Sequence, residues 1–426
     1  MYVVTGASLL VPLAGLITAP ILAQALGVVG RGEFAAAIAP NSLVVSVATL
    51  GLPDALTFEL ARRPWLTRRA LLLTGLISSV IGVLCLAIAI ASASLLTASD
   101  PDLADLLVIG VALAIPVLTV NLLRGAAAGR QLWKAVAVER ALNAALRIVL
   151  LAGFALSGQL SVLNAVLIVS IAPVVSAIAH WQLFRPVAGG DAKAHVSPLA
   201  RPLLAYGSQI WLGAVAGMLY GRLSQLVITP LSDIEQLGLF VVAITISDVP
   251  LILAMAVGDV VFGTSSREAN IDKLTTASRV MTLLGVGGAV ALGVTLPLWI
   301  SQVFGDGFVA ATIPTWILLA ASVVGVPGLI TGAGLGAWGR PALRSAIAIV
   351  GLTVNVLALF LLVPGFGAVG AAAAGVLSAL ASSTFGVLSM SRTAQVPARS
   401  FVLPRRRDLL LLRGELASVA NRLRRN

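Results

Sequence analysis

Residues 70–96 read ALLLTGLISSVIGVLCLAIAIASASLL, with Arg68 and Arg69 before the run and Asp100 just after it. Nothing in the run is charged. About twenty apolar residues let a helix cross a hydrocarbon core about 30 Å thick, and this stretch exceeds that length. Comparable runs fall at 3–24, 34–57, 104–123, 141–157, 161–184, 203–230, 237–263, 280–300, 311–333, 344–363 and 368–391. A β-barrel would instead show alternating segments of about ten residues. The spacing predicts an all-α polytopic membrane protein of about 12 transmembrane helices. Composition agrees, with 59% hydrophobic and 11% charged residues in 426, where an average soluble domain has roughly 25% charged. Mean hydropathy is +1.03.

Orientation is read from Lys and Arg, which favour the cytoplasmic side of short loops. All but Arg31, Arg147 and Arg222 of the 28 basic residues fall in alternate connections or in the tail from Arg392 onward. Asp100, Asp102, Asp233, Glu235 and Asp306 mark the opposite connections. The expectation is a cell-membrane protein with both termini cytoplasmic. The net charge of +11 is then a topology signal and does not point to nucleic acid. Met1 falls almost inside the first run, which is too long and lacks the basic leader of a cleavable signal peptide; translation is expected to start upstream.

Several function classes drop out. There is no GxxxxGK[ST] motif and no Gly-Lys pair, so ATP hydrolysis has no phosphate loop. The outer connections are too short to carry the carboxylates of a membrane glycosyltransferase. Cys85 is the single cysteine, and His180 and His195 lie far apart with few acidic neighbours. No catalytic residues, cofactor or metal site are expected.

The chain carries an internal repeat. Gly32-Glu33-Phe34-Ala35-Ala36-Ala37-Ile38 recurs as Gly238-Leu239-Phe240-Val241-Val242-Ala243-Ile244. Each copy opens the second helix of a six-helix set, so the repeats are parallel. The expected organisation is an N-terminal lobe at 1–190, a linker at 191–202, a C-terminal lobe at 203–391 and a tail at 392–426. In the tail, Leu409, Leu412, Leu416, Val419 and Leu423 recur at helical spacing among Arg405, Arg406, Arg407, Arg413, Arg422, Arg424 and Arg425. That pattern predicts a basic amphipathic helix on membrane lipids. Two stripes, Gly213-Gly217-Gly221 and Gly328-Gly332-Gly336, are expected to pack helices closely.

Ionisable groups inside spans carry functional interest because burying them in lipid is costly. Arg222 sits about 12 Å below the outer end of helix seven at 1.5 Å per residue, on one face with Ser208, Gln225 and Thr229. It either faces a cavity or snorkels to outer headgroups. Asp248 lies deep in helix eight; it is a Na⁺ or H⁺ coupling carboxylate, or a partner of Arg222. Arg31 lies at the outer junction of helices one and two, where it either receives the emerging headgroup or is an ordinary loop charge. Arg147 lies one or two turns into helix five, where it either meets an incoming diphosphate or anchors the cytoplasmic end. Gln24, Asn41, Gln209 and Asn355 are uncharged polar residues within spans, suited either to sugar hydroxyls or to helix-to-helix bonds.

Motifs spread along the chain resemble a known family. They include Gln24-Ala25-Leu26-Gly27, Gly30-Arg31-Gly32-Glu33-Phe34, Leu50-Gly51-Leu52-Pro53-Asp54-Ala55-Leu56, Phe304-Gly305-Asp306-Gly307-Phe308 and Val363-Pro364-Gly365-Phe366-Gly367-Ala368. The sequence resembles polysaccharide and oligosaccharide flippases of the multidrug/oligosaccharidyl-lipid/polysaccharide exporter superfamily. The resemblance implies two six-helix lobes forming a V around a central cavity. It also implies alternating access that moves a polyprenyl-diphosphate-linked oligosaccharide from the inner to the outer leaflet, for cell-surface polysaccharide synthesis. Two helices usual at the carboxy terminus of the lipid II branch are absent. On this reading Arg222, Arg31, Gln225, Gln209, Asn41, Gln24 and Arg147 bind substrate, since guanidinium matches phosphate oxygens. Asp248 couples a cation. Glycosyltransferases or a polymerase are the expected protein partners. A cation-coupled multidrug exporter and a non-transporting scaffold of a glycan assembly complex stay open as alternatives.

Overall fold

A computed structural model of the chain describes residues 2–185, 200–250, 252, 271–405 and 408. These residues form helices and short connections, with no strand among them. In chain order the helices are α1 (Tyr2–Ala48), α2 (Leu52–Arg62), α3 (Thr67–Leu96), α4 (Pro101–Ala112), α5 (Ala114–Gly129), α6 (Trp133–Leu156) and α7 (Val162–Ser176). A 3-10 stretch, Ala177–Phe184, extends α7. There follow α8 (Ala200–Leu231), α9 (Ile234–Ser247), α10 (Ile271–Phe304), α11 (Thr312–Ala337), α12 (Pro341–Ala394) and the short α13 (Arg399–Val402). Seven helical stretches among the described residues are long and apolar enough to cross a membrane. Two compact units emerge. One comprises Met1–Val241 with Val303–Gly307, the other Val242–Gln302 with Phe308–Asn426.

Several boundaries differ from the sequence expectation, each for a local reason. The first two spans form one helix, α1, broken at Gly27, whose φ of 69° and ψ of −174° are open to glycine. The span expected to run to residue 57 is cut at Leu50 and Gly51, both with positive φ. Gly367, at φ 52°, breaks α12 between the last two expected spans. Helix α6 starts at Trp133 rather than at 141, because Arg124 neutralises Glu139 and the helix continues through that charge. The expected linker lies mostly outside the described residues, as do residues 409–426 of the tail.

In the first unit α3 is built the reverse way to a soluble helix. Its inward residues are small, Ala70, Thr74, Ser78, Gly82, Ala89 and Ala93. Leu72, Leu76, Val80, Leu84, Ile88 and Leu95 are exposed, as a lipid-facing surface requires. Small residues also set the tight crossings. A methyl group at Gly32 would land on the carbonyl oxygen of Ile234, and one at Gly238 on that of Val28. The two copies of the internal repeat therefore meet backbone to backbone. A second crossing sets Gly51 against Gly207, reinforced by Trp211 Nε1 donating to the Val47 carbonyl at 2.9 Å.

The second unit packs α11 on α12. A methyl at Gly328 would come within 2.8 Å of Ser383 Cα, so the 328–336 stripe does bring helices together. The other stripe does not: Gly217 and Gly221 are exposed, with nothing within 4 Å of an added methyl. That face of α8 has no described neighbour to pack on.

A strap closes the second unit at the start of α10. Arg279 donates from Nε and Nη2 to the Asp408 carboxylate at 2.6 and 3.1 Å, and from Nη1 to the Ser400 carbonyl at 2.6 Å. Ser278 Oγ donates to the Phe401 carbonyl. Burial works against the Asp408 charge, yet the Arg279 fork and the Arg405 N–H outweigh it and hold the carboxyl below the usual range.

Gly238→Ala is expected to destabilise by about 1–3 kcal/mol, because backbone must move to admit the methyl. Gly217→Ala should be neutral or slightly stabilising. Thermal unfolding in detergent compares the two, and equal midpoints would contradict the crossing. Asp408→Ala leaves Arg279 buried and unpaired, a loss of about 3–5 kcal/mol, read as lower thermal stability and faster tryptic cleavage at Arg405. Since the folded carboxyl titrates below its unfolded value of about 3.9, the strap's contribution is full above that pH and fades as pH falls through the depressed value.

Candidate functional site

Two arginines in the first unit feel each other's charge. The Gly27 break turns the chain at the middle of α1, and Arg31 follows one turn later with 6% of its surface exposed. Its guanidinium lies 5.3 Å from the Phe34 ring centroid, and its Nε is buried with no hydrogen-bond partner among the described residues. Arg31 is thus part of a helix interior and not a loop charge.

Arg222 projects from α8, which the Gly51–Gly207 crossing and Trp211 fix against α1. Its charge bears on Arg31 as a like-charge repulsion. Its Nη1 donates to Gln225 Oε1 at 3.0 Å. Gln225, 5% exposed, and Thr229 lie on the same face of α8, and Thr229 Oγ1 is buried without a described partner. Burying one cation is costly and setting a second beside it more so. An anion with several oxygens would offset both costs, because each guanidinium presents a planar fork of donors.

The other sequence candidates separate into groups. Gln24, one turn before the break, donates from Nε2 to the Val303 carbonyl at 2.8 Å. Asn41 is buried, and its Nδ2 donates to the Gly110 carbonyl at 2.6 Å, the helix-to-helix bond that was one of its two expected roles. Arg147 lies fourteen residues into α6, not one or two turns, because the helix begins at Trp133; its Nε is buried without a described partner. The side chain of Gln209 lies outside the described residues. Asp248 belongs to the second unit and is exposed.

Sequence reasoning passed over two buried ion pairs. Arg124 holds Glu139 through two hydrogen bonds, Nε to Oε2 at 3.0 Å and Nη2 to Oε1 at 2.9 Å, and donates from Nη1 to Asn121 Oδ1 at 2.8 Å. The second pair is Arg279–Asp408. The available signal was complementarity between one charge at a helix end and another beyond it, which a count of loop charges averages away.

Long apolar helices, small-residue crossings and charges buried inside an apolar bundle together define a multi-pass membrane protein. Solved structures agree on the fold. A lipid II flippase, MurJ, in an inward closed conformation has a TM-score of 0.72 at 12% identity, covering 94% of this chain and 89% of that one. An inward-facing multidrug resistance MATE family transporter of the MOP superfamily has a TM-score of 0.65 at 16% identity, over 90% of this chain and 99% of that one. A MOP superfamily transporter from Pyrococcus furiosus, described by the reverse polarity of its binding pocket, has a TM-score of 0.55 at 17% identity, over 90% and 96%. No curated protein matches the sequence. Residues 1–269 match the family described as polysaccharide biosynthesis protein, and the chain belongs to that family.

Inorganic diphosphate is expected to raise the thermal midpoint of the purified wild type, since a ligand of the folded state stabilises it by mass action. Arg31→Gln and Arg222→Gln should each abolish that shift. An unchanged shift in either variant would remove that residue from the anion site.

Proposed function

We propose that the chain is an alternating-access flippase that carries a polyprenyl-diphosphate-linked oligosaccharide from the inner to the outer leaflet for cell-surface polysaccharide synthesis. The observation that carries this reading is that Arg31 and Arg222, two cations that act on each other electrostatically, lie in one apolar unit. A diphosphate head crossing a membrane needs cations that replace its water, and two adjacent forks suit its two phosphate groups. Gln225 steadies Arg222, and Gln24 and Gln209 supply amides for sugar hydroxyls. Arg31 is nearly enclosed in this conformation, so the head reaches it only as the cluster opens, which an alternating-access cycle provides. Family membership and a flippase of lipid II among the similar structures support a lipid-linked substrate.

Asp248, an exposed carboxylate within an apolar stretch, is the residue proposed to couple a Na⁺ or H⁺ gradient. The positions of Lys and Arg support cytoplasmic termini, and the internal repeat supports a six-plus-six division with its linker at 191–202. A flippase of this kind would work alongside glycosyltransferases or a polymerase. A multidrug exporter would favour acidic and aromatic linings, whereas the cluster in hand is cationic.

Movement of a labelled lipid-linked sugar in proteoliposomes tests the proposal. Arg222→Ala and Arg31→Ala are each expected to slow flipping about tenfold or more, from the loss of charge-assisted hydrogen bonds worth about 1.5–3 kcal/mol. Arg222→Lys should retain part of the activity. Wild-type rates in both alanine variants, with normal membrane insertion, would overturn the assignment.

A further inference from the structure

His180 is completely buried, and neither ring nitrogen has a hydrogen-bond partner among the described residues. An imidazole always presents at least one N–H donor, so this ring leaves hydrogen-bonding capacity unmet where that is expensive. Its setting is unusual too. It lies in the middle of Ala177–Phe184, eight residues of 3-10 helix, whereas such stretches seldom exceed three or four residues and a long one often marks a hinge. With three residues per turn, His180 and Leu183 point inward while Ile178, Trp181 and Phe184 are exposed.

The charged groups on the described elements packed against this stretch are few. From α6 comes Glu139, wholly buried, with Arg140 beside it and Lys134 exposed in the first turn. From α5 and its end come Arg124, which holds Glu139, and Arg130, whose Nη1 donates to the Leu183 carbonyl at 2.8 Å. Arg185 stacks on Trp181, its guanidinium carbon 4.1 Å from the ring centroid. Helix α7 has no charged residue. The Glu139 charge favours a protonated ring at His180 and the Arg124 charge opposes it, and neither is hydrogen-bonded to it. One turn beyond Glu139, Asn143 Oδ1 is also buried without a described donor.

We propose that His180, Glu139 and Arg124 form a proton-binding site inside the first unit, with Asn143 as an auxiliary acceptor. The step is a plain proton transfer. An acid in water gives up a proton as its O–H bond breaks, and an N–H bond forms at the ring lone pair, with no electron gained or lost. The imidazolium then has two donors, and Glu139 and Asn143, one turn apart on α6, are the buried acceptors assigned to them. Glu139 passes from one cationic partner to two, and the 3-10 stretch is drawn toward α6. The site stands apart from the arginine cluster and does not depend on what the protein carries.

The chain has two histidines, so His195→Gln leaves His180 as the single imidazole. Ring ¹⁵N spectra of histidine-labelled His195→Gln protein across about pH 5–8 read it directly. The ring is expected to titrate reversibly in the folded protein. Glu139→Gln should lower the midpoint by about one unit or more, since a neighbouring carboxylate favours the charged form, and Asn143→Leu should lower it by less. A ring that stays neutral throughout overturns the site even if neither second variant folds. So does a midpoint that Glu139→Gln leaves in place.

Discussion

Two like charges share the interior of an apolar bundle. Arg31, almost wholly buried, and Arg222, half-buried, repel one another where water screens little. Packing helps to hold such an arrangement in place. The packing here consists of the close helix crossings. Gly32 and Gly238 set α1 against α9, and Gly51, in the turn after α1, packs on Gly207 of α8, so the helices that carry the two cations are fixed by backbone contacts. The break at Gly27 aims Arg31 into this space.

The same crossings explain why the internal repeat has survived as a recognisable signature. The two glycines of the repeat touch each other's helices, so each needs its missing side chain for the other's sake. A residue with a Cβ at either position would push α9 away from α1, the helix that carries Arg31. Packing and charge placement are therefore one constraint. The exposed face of Gly217 and Gly221 shows that glycine spacing alone does not specify a crossing; what counts is whether a partner backbone arrives.

Much of the fold was legible because hydrocarbon imposes long uncharged runs, and residues 70–96 display this without ambiguity. The helix ends were harder. The apolar run at 141–157 left out Glu139, since its partner Arg124 lies on another helix and pairing across helices leaves no local trace. That error moved the start of α6 and so misjudged the depth of Arg147. Arg222 was recognisable as a charge within a span, but its proximity to Arg31 comes from tertiary crossings that spacing along one helix does not encode. His180 gave no sequence signal, because a buried histidine without partners looks like any other residue in an apolar run.

The account rests on the arginine pair recognising a diphosphate attached to a lipid. Native mass spectrometry of the intact protein with an equimolar mixture of polyprenyl diphosphate and a zwitterionic phospholipid measures that preference most directly. The account predicts selective retention of the diphosphate lipid by the wild type and loss of the selectivity when both arginines are replaced by glutamine. Equal retention of the two lipids by the wild type, or selectivity untouched by the double replacement, would contradict it.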